Sequence, residues 1–466
     1  MGAVAPTAGA IAVHIAQAAP VPTACTLYAS PTGSDAGNGS AAQPYLTVKK
    51  VADALAPGAV GCLATGVYQL PMEVSGVNGK PVPVLNLTHG GTAVAPATLR
   101  NAPGADARIV GRLVIGTSAT YLTIAGLTLD GGPTLDDEAS SVTVLATGAS
   151  LIGNNITAPT RTCVSVGLYG SSMITPSAIN IEGNRIHHCG DDKGWGKPRD
   201  GYAHNQEHGV YVESARGTTI RHNLIDHNDA RGVQLFADAD GTLVQNNTID
   251  SNTTGLLVGG WGSYGRSDSN VVSANLITNS SRFAVDVNWS GTPMPTGPQM
   301  TTVTDNCMFG VNAATMVAAY SGLSWNANVW TNPQFNGLST GDYRLKATSP
   351  CLGKGIRPTL GAVAVVATRT SVTSTAIVSP HRMTAVSSMR VRLCSNSTCT
   401  GTFGPWLSTN EVSAVDVTDV KVAATMVGLL PGRAYQVQWL TRQALLSATQ
   451  SVAINVTTPV TVATAR

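Results

Sequence analysis

The sequence contains few aromatic and few charged residues, at 5% and 12% of its 466 positions. Its formal net charge of +2 gives no reason to expect nucleic acid or an anionic membrane as a partner. No apolar run is long enough to span a bilayer. What the chain does contain is 49 glycines and many short runs of valine, isoleucine, leucine and alanine. This composition favours a narrow aliphatic core with frequent turns.

Metal-binding cysteine spacing is also absent, because no pair has the CxxC pattern. The number of cysteines is even, which favours disulfides and an oxidising compartment. Eight buried thiols in a cytosolic protein are the alternative. The cysteines fall into four neighbouring groups along the chain: Cys25 with Cys62, Cys163 with Cys189, Cys307 with Cys351, and Cys394 with Cys399.

The N-terminal segment, residues 1–24, resembles a signal for export. Residues 10–18 form a short apolar stretch that ends in Ala16-Gln17-Ala18, a pattern typical of a cleavage site. The usual positively charged start is missing. We therefore expect a truncated or mis-started signal peptide, and a secreted, soluble protein.

A repeat of about two dozen residues occupies the middle of the chain. Each copy begins with the pattern apolar-x-x-Asn-x-Ile, where x is any residue. It continues with a glycine that is followed by alternating apolar residues. Short alternating segments at this period predict a parallel β-helix, in which equivalent residues form columns. The asparagine column is interpreted as a structural ladder of amides. Its members are Asn184, Asn223, Asn247 and Asn275, and the second halves begin at Gly209, Gly232, Gly255 and Ala284.

The two ends of this region resemble the pectate-lyase-like superfamily of secreted right-handed parallel β-helix proteins. Residues 28–70 contain a strand, a Gly/Ser/Asp loop and a short amphipathic helix, similar to the cap at the open end of such a solenoid. Residues 332–350 are similar to its closing segment. The resemblance covers residues 25–360 and implies an all-β, right-handed parallel β-helix domain with an N-terminal capping helix. It does not define a reaction, because this superfamily includes lyases, hydrolases, epimerases and adhesins.

The C-terminal segment has a different composition, rich in Thr, Ser and Val. Residues 428–438 resemble the region around the fifth and sixth strands of a fibronectin type III domain. The resemblance implies a separate β-sandwich over residues 365–466, acting as a spacer or a substrate-binding accessory. Cys394 and Cys399 would close one hairpin of this domain.

Strand alternation predicts which side chains leave the solenoid surface together. If the valines of the second half-repeat point inward, one outward column contains Tyr211, Gln234, Leu257 and Asp286, and Glu213 lies on the same face. Adjacent coils are about 4.8 Å apart. At the start of the strands, His208 and Arg231 should be neighbours.

The repeat is interrupted once, between Asn184 and Asn223. The interval holds the most polar stretch of the chain, and a functional loop on a rigid scaffold is a common arrangement. A second loop offers Trp261 and Tyr264 as flat faces for sugar rings. We expect a substrate groove between the two loops, floored by Tyr211, Glu213, Arg231 and Gln234. From the first loop we include Trp195, Arg199 and Tyr202 as substrate-binding residues and Lys193, Lys197 and His204 as catalytic candidates.

Both signs of charge in this groove suit an anionic polysaccharide. Elimination or epimerisation of a uronate removes the C5 proton once its carboxylate charge is neutralised. We expect His208, Lys193 or Lys197 as the base, Arg231 as the neutralising group and Tyr211 as the acid. Residues 201–207 distantly resemble the mannuronan C5-epimerase motif, which points to His204, although the motif's Asp-Pro is absent. A polysaccharide lyase or C5-epimerase is therefore the leading hypothesis.

Two other functions remain open. Asp191-Asp192 and Glu207-His208-Gly209 resemble two motifs of polygalacturonase-like hydrolases, but the other two motifs of that family are missing. The alternative is a non-catalytic carbohydrate-binding or surface protein. Calcium is a candidate cofactor, because the first loop supplies hard oxygen ligands. The candidate ligands are Asp191, Asp192, Asp200 and Glu207. We expect a monomer with a polysaccharide partner.

Overall fold

The computed structural model describes residues 21–465 except 23, 75–80, 133–139, 159–160, 169–172, 191–205, 262–264, 291–299, 311–322, 382–384, 415–419 and 444–454. Most of the expected signal-like segment therefore lies outside the described residues. In the described part, three long sheets form a right-handed parallel β-helix, and antiparallel sheets follow it. The predicted all-β fold is confirmed. None of the helical structure in the described ranges is long and apolar enough to cross a membrane.

The first two sheets are built from short parallel strands, one from each coil. Sheet 1 contains Leu27–Ala29, Val60–Leu63, Ala97–Asn101, Leu122–Ala125, Ser150–Ile152, Asn180–Glu182, Thr219–Arg221, Leu243–Gln245, Val271–Ser273, Thr301–Thr304 and Leu323–Asn326. Sheet 2 contains Gly66–Gln69, Ala107–Val110, Thr128–Asp130, Asn155–Thr157, Arg185–His187, Leu224–Asp226, Thr248–Asp250, Leu276–Thr278, Cys307–Phe309 and Val329–Trp330.

The third sheet closes each coil and is the one that changes along the molecule. Sheet 3 contains Met72–Val74, Pro81–Leu87, Arg112–Ile115, Val142–Val144, Val164–Val166, Val210–Arg216, Arg231–Asp240, Thr254–Trp261, Gly265–Arg266 and Phe283–Ser290. The strands are parallel except at two hairpins, where the first and second of these strands pair and where Gly265–Arg266 folds back on Thr254–Trp261. A continuous aliphatic core fills the space between the three sheets.

The predicted asparagine ladder is confirmed and is longer than the repeat indicated. Asn223 is fully buried and shows how each rung is bonded. Its Nδ2 donates to Oδ1 of Asn247 at 3.0 Å and to the Ile181 carbonyl at 2.8 Å, while its Oδ1 accepts the backbone N–H of Asn184 at 2.9 Å. The ladder therefore satisfies the buried backbone at every turn between sheets 1 and 2. Its members are Asn154, Asn184, Asn223, Asn247, Asn275, Asn306 and Asn328.

The glycine of each second half-repeat has a packing reason. A Cβ on Gly232 would lie 2.6 Å from Cγ2 of Ile249, and one on Gly255 would lie 2.4 Å from Cγ2 of Ile277. Both distances are far below van der Waals contact. The glycine of the repeat therefore leaves the space in the core that the isoleucine side chain occupies.

The predicted capping helix is Val48–Asp53, and it covers the open end of the solenoid. Thr47 caps it by accepting the backbone N–H of Lys50 at 3.2 Å. Its buried face packs on the strand Val60–Leu63, where a Cβ on Gly61 would collide with Val51 at 2.4 Å. The helix thus replaces the missing coil and removes an exposed apolar cross-section.

The opposite end and the C-terminal region are antiparallel. The strands Phe335–Gly337 and Asp342–Leu345 form a hairpin with a 3₁₀ turn, Leu338–Thr340, between them. Beyond it, two antiparallel sheets pack around Trp439, Met389 and Tyr435. One sheet contains Thr359–Ala367, Ser371–Ser379 and Val420–Val427. The other contains Ala385–Leu393, Leu407–Ser408, Val412–Ala414, Ala434–Gln443, Asn455–Val456 and Val460–Ala463.

All eight cysteines form disulfides, so the alternative of buried thiols is wrong. Each bond joins cysteines that are neighbours in the sequence order. The first and third bonds lie near the two ends of the solenoid, the second lies at the base of the long insertion, and the fourth lies in the sandwich. The pairs are Cys25–Cys62, Cys163–Cys189, Cys307–Cys351 and Cys394–Cys399.

A charged cluster joins the sandwich to the solenoid. The ring of His381, just after a sandwich strand, stacks on His222 of the solenoid with ring centroids 4.4 Å apart. His381 also lies 3.5 Å from the carboxylate of Glu182, which pairs with Arg221 at 2.9 Å. His222 is 7% exposed, and burial together with the charges of His381, Arg357 and Arg221 holds its pKa well below the usual value, against the opposing pull of Glu182.

This junction predicts a pH dependence of stability. Because the pKa of His222 is lowered in the folded state, the unfolded chain takes up a proton near pH 6.5 that the folded chain does not. The contribution of neutral His222 to the free energy of unfolding is complete above about pH 6.5. It is lost as the pH falls, by about 1.4 kcal/mol per pH unit. We expect the melting temperature to decrease from neutral to mildly acidic pH, and to decrease less steeply in His222→Gln. Equal slopes for the two proteins would contradict this account.

The shifted pKa values of Glu182 and His227 also contribute to the pH dependence of stability. The pKa of Glu182 is lowered, so its contribution is lost only below the usual carboxylate range, at more acidic pH. The pKa of His227 is raised by its bond to Asp226, so that histidine stabilises at low pH and loses its effect as the pH rises. Replacing His222 also removes one of the charges that lower the pKa of Glu182, but that carboxylate titrates at more acidic pH, so the slope near pH 6.5 reports on His222.

Candidate functional site

The solenoid widens in sheet 3 where the repeat is interrupted. The strand Val164–Val166 has three residues, but the next strands, Val210–Arg216 and Arg231–Asp240, have seven and ten. The strands Thr254–Trp261 and Phe283–Ser290 have eight each. The outward face of these four long strands is called the candidate groove below. The longest insertion of the repeat region enters the solenoid at its edge.

The predicted outward column is confirmed in its register. Tyr211 pairs with Gln234, Gln234 with Leu257, and Leu257 with Asp286 across neighbouring strands. Tyr211 and Asp286 are half-buried, as groove residues should be. The expected exposure of the two middle positions is wrong, because Gln234 is 7% and Leu257 is 1% exposed. Alternation determines the direction of a side chain but not whether other chain segments cover it.

The start of the long strands forms a second column, in which Arg231 pairs with Thr254, and Thr254 with Phe283. The backbone N–H of Arg231 lies 3.4 Å from Nδ1 of His208, so the two residues are neighbours as expected. His208 is fully buried, and its ring contacts Tyr211 edge to face with centroids 5.3 Å apart. His208 therefore supports the two groove residues from behind.

Arg231 is the electrostatic centre of the groove. Burial lowers its pKa, and the nearby charge of Arg282 lowers it further, while Asp286, Tyr211 and Glu207 attract the guanidinium. An arginine keeps its charge at neutral pH in spite of such a shift. Arg231 is therefore a partly buried cation with both like and opposite charges around it.

Burial also disfavours the charged form of Asp286. Burial raises the pKa of its carboxyl, although Arg231 and Arg282 both favour the ionised form. Arg231 and Arg282 therefore both interact with Asp286 in this part of the groove. A guanidinium is also a suitable group for binding a substrate carboxylate.

Two more acidic side chains lie near the column. Glu213 is half-buried and accepts a hydrogen bond of 2.6 Å from the hydroxyl of Ser165. Glu207 is 9% exposed, accepts the backbone N–H of Gln206 at 3.0 Å and packs against Gly190. Within the described ranges, no group of three or more His, Cys, Asp or Glu side chains is arranged to hold a metal ion. The calcium hypothesis rests on Asp191, Asp192 and Asp200, which lie outside the described residues.

The second loop begins as a hairpin on the groove rim. Trp261 pairs with Gly265 across it and is 42% exposed. Gly265 lies against Asp238, since a Cβ there would be 3.2 Å from its carboxylate. An indole held on a hairpin beside the groove can stack on a sugar ring. The remaining site residues of the two loops lie outside the described residues: Lys193, Trp195, Lys197, Arg199, Tyr202, His204 and Tyr264.

Arg282 and Ser165 were missed by the sequence reasoning. Arg282 immediately precedes Phe283, with its guanidinium 5.2 Å from the centroid of that ring. The column rule places this position next to the one that pairs with Thr254, so extending the column by one residue would have found it. Ser165 pairs directly with Tyr211, but the long insertion separates them in sequence.

The middle of the chain matches one known family model, and part of the chain matches a curated relative. Residues 117–330 match the family described as a right handed beta helix region. A curated relative, the uncharacterised protein YwoF of Bacillus subtilis (strain 168), is 25% identical over 126 residues. That match covers 27% of this chain and 26% of the relative, so the chain matches about a quarter of the relative's length.

Solved structures similar to this chain include three carbohydrate-active proteins. The pectate lyase Pel9A has 13% identity and a TM-score of 0.48, over 72% of this chain and 92% of its own. A rhamnogalacturonan lyase has 13% identity and a TM-score of 0.47, over 70% and 94%. The periplasmic alginate epimerase AlgG has 10% identity and a TM-score of 0.31, over 59% and 61%.

Proposed function

We propose that this protein acts on an acidic polysaccharide by removing the C5 proton of a uronate unit, as a polysaccharide lyase or a C5-epimerase. The observation that supports the proposal is the position of Arg231 in the candidate groove, next to His208 and on the strand beside that of Tyr211. Arg282 and Asp286 both interact electrostatically with Arg231. A guanidinium at this position can bind the carboxylate of a uronate.

Arg231 and Arg282 are assigned to the carboxylate of the substrate. A uronate holds its C5 proton tightly until the negative charge of the carboxylate is neutralised, because removal of the proton adds a second charge. A guanidinium can bind both carboxylate oxygens and stabilise the enolate that forms. Arg231 and Arg282 lie two coils apart, with the strand of Thr254 between them, so one can bind the substrate while the other is balanced by Asp286.

Tyr211 is assigned to proton transfer at the reacting sugar. It is half-buried, faces the groove and lies on the strand next to that of Arg231. His208 is assigned to positioning, because its buried ring contacts Tyr211 and its Nδ1 faces the Arg231 backbone. The base is then Tyr211 itself or one of Lys193, Lys197 and His204 in the first loop.

The two outcomes of the reaction differ after the proton has left C5. In elimination, the electron pair forms the C4–C5 double bond, the C4–O bond breaks, and an acid protonates the departing oxygen. In epimerisation, the C4–O bond stays intact and a proton returns to C5 from the opposite face. Glu213 and Trp261 are assigned to the neighbouring sugars through hydrogen bonds and stacking. The four disulfides support an extracytoplasmic, oxidising compartment for the proposed activity.

The test is incubation of the purified chain with a panel of uronate and neutral polysaccharides, followed by three measurements. We expect either new ultraviolet absorbance from an unsaturated uronate, or a changed uronate composition by NMR with no loss of chain length. Reducing ends without new absorbance would instead indicate a hydrolase. No change in any of the three would leave binding as the only function and would overturn the proposal.

A further inference from the structure

A stack of arginine and aromatic side chains covers the outer face of one sandwich sheet. The guanidinium of Arg392 lies 3.7 Å from the ring centroid of Phe403 and 4.5 Å from that of Trp406. The guanidinium of Arg390 lies 4.4 Å from the Trp406 ring. Phe403 is 37% exposed, and the other three side chains are partly exposed. These four residues are called the arginine stack below.

The strand pattern explains why the stack points outward. On the strand Ala385–Leu393, Met389 and Val391 are fully buried in the sandwich core, so Arg390 and Arg392 must face the other side. The neighbouring strand Ala434–Gln443 repeats this alternation. Its buried residues are Val437 and Trp439, and its outward residues are Gln436 and Gln438.

The glutamines orient the two guanidiniums without neutralising them. Gln438 is directly opposite Arg390, and its Oε1 accepts a bond of 2.8 Å from Nε. Gln436 is opposite Arg392, and its Oε1 accepts bonds of 3.0 Å and 2.7 Å from Nε and Nη2. In each pair a neutral amide oxygen accepts from the guanidinium and adds no negative charge beside it.

No carboxylate pairs with either guanidinium in the part of the chain that the structure describes. The nearest arginine on the same face, Arg442, does have such a partner, Glu411 at 2.5 Å. Partial burial and the charge of Arg392 both lower the pKa of Arg390. Two like charges are therefore held side by side, and an anion placed over both would relieve their repulsion.

We propose that the arginine stack is a second binding site for an anionic polysaccharide, separate from the candidate groove. Two fixed, planar guanidiniums on alternate residues of a strand can each bind a carboxylate or sulfate of consecutive sugars. The exposed faces of Phe403 and Trp406 provide apolar contact for the sugar rings between these groups. The choice of a uronate polymer as the ligand rests on the proposed function.

The test uses the full-length chain in affinity gel electrophoresis with polygalacturonate in the gel. We expect the double variant Arg390→Gln, Arg392→Gln to bind about tenfold more weakly for each arginine removed. The matched control is Arg442→Gln, which removes an arginine that is already paired, and it should bind like the original chain. Unchanged retardation of the double variant would overturn the proposal.

Two further measurements keep the outcome interpretable. If the double variant has a lower melting temperature, Arg390→Lys with Arg392→Lys retains the charge and should bind better than the glutamine variant. Equal or stronger retardation by single-stranded DNA, at the same ionic strength, would overturn the assignment to a polysaccharide. The variant Arg231→Gln should lose activity but keep the retardation, so failure of the groove proposal and failure of this one give different results.

Discussion

Replacing Arg231 by glutamine is expected to lower kcat/KM on the responsive uronate polysaccharide by about 10³-fold. The guanidinium would no longer stabilise the charge that develops when the C5 proton leaves, and the glutamine amide offers neutral donors in its place. Removal of one preorganised donor at such a position has an effect of this size. The loss should appear mainly in kcat, because the charge is greatest in the transition state.

The matched control is Arg216→Gln, on the neighbouring long strand. Arg216 is exposed at the far end of that strand and pairs with Asp238 at 2.8 Å, away from the arginine pair of the groove. We expect its kcat/KM to equal that of the original chain. Arg231→Gln should also keep its melting temperature, since burial already disfavours the charge that is removed. Comparable activity of the two variants would remove Arg231 from the proposed mechanism.

Replacing Asn223 by alanine is expected to reduce the free energy of unfolding by about 4 kcal/mol. The change removes a fully buried side chain that bonds to both neighbouring coils. The Asn184 backbone N–H, the Ile181 carbonyl and the amide of Asn247 would each lose a partner. Each buried group left without a hydrogen bond costs about 1–3 kcal/mol. Chemical denaturation measures the loss as a lower midpoint.

The end of the ladder supplies the control for this prediction. Asn328 accepts from Asn306 and donates to the Val303 carbonyl at 2.8 Å, but it is only partly buried. Water can replace its bonds in the variant Asn328→Ala, so the expected loss is about 1 kcal/mol. Equal losses of unfolding free energy in Asn223→Ala and Asn328→Ala would contradict this account. They would show that the burial of a ladder asparagine does not determine how much it stabilises the fold.

The columns were predictable because a parallel β-helix pairs its coils in register. Once Asn223 and Asn247 were aligned, the pairing of Tyr211 with Gln234 and the contact of His208 with Arg231 followed from strand geometry alone. The sequence also contains a second asparagine ladder with the same period, which the sequence analysis did not predict. Asn228 donates to Oδ1 of Asn252 at 2.9 Å, between sheets 2 and 3.

Other features depend on parts of the chain that no local pattern connects. Gln234 and Leu257 are buried although they lie in the outward column, and alternation carries no information about their burial. The stacking of His222 on His381 joins two regions separated by more than a hundred residues. The orientation of Arg390 by Gln438 required the register of two sandwich strands. These contacts are tertiary, and the repeat does not determine them.

The positions of the disulfides bear on where the solenoid can begin to unfold. A solenoid opens most readily at its first and last coils, because each of these has a neighbour on one side only. Here Cys25–Cys62 ties the chain to the first coils, and Cys307–Cys351 ties the closing segment to the last ones. The covalent bonds thus fasten the two places where fraying would begin. Because the two disulfides oppose unfolding at the ends of the solenoid, they also oppose proteolysis there. Reduction of both bonds would remove this protection.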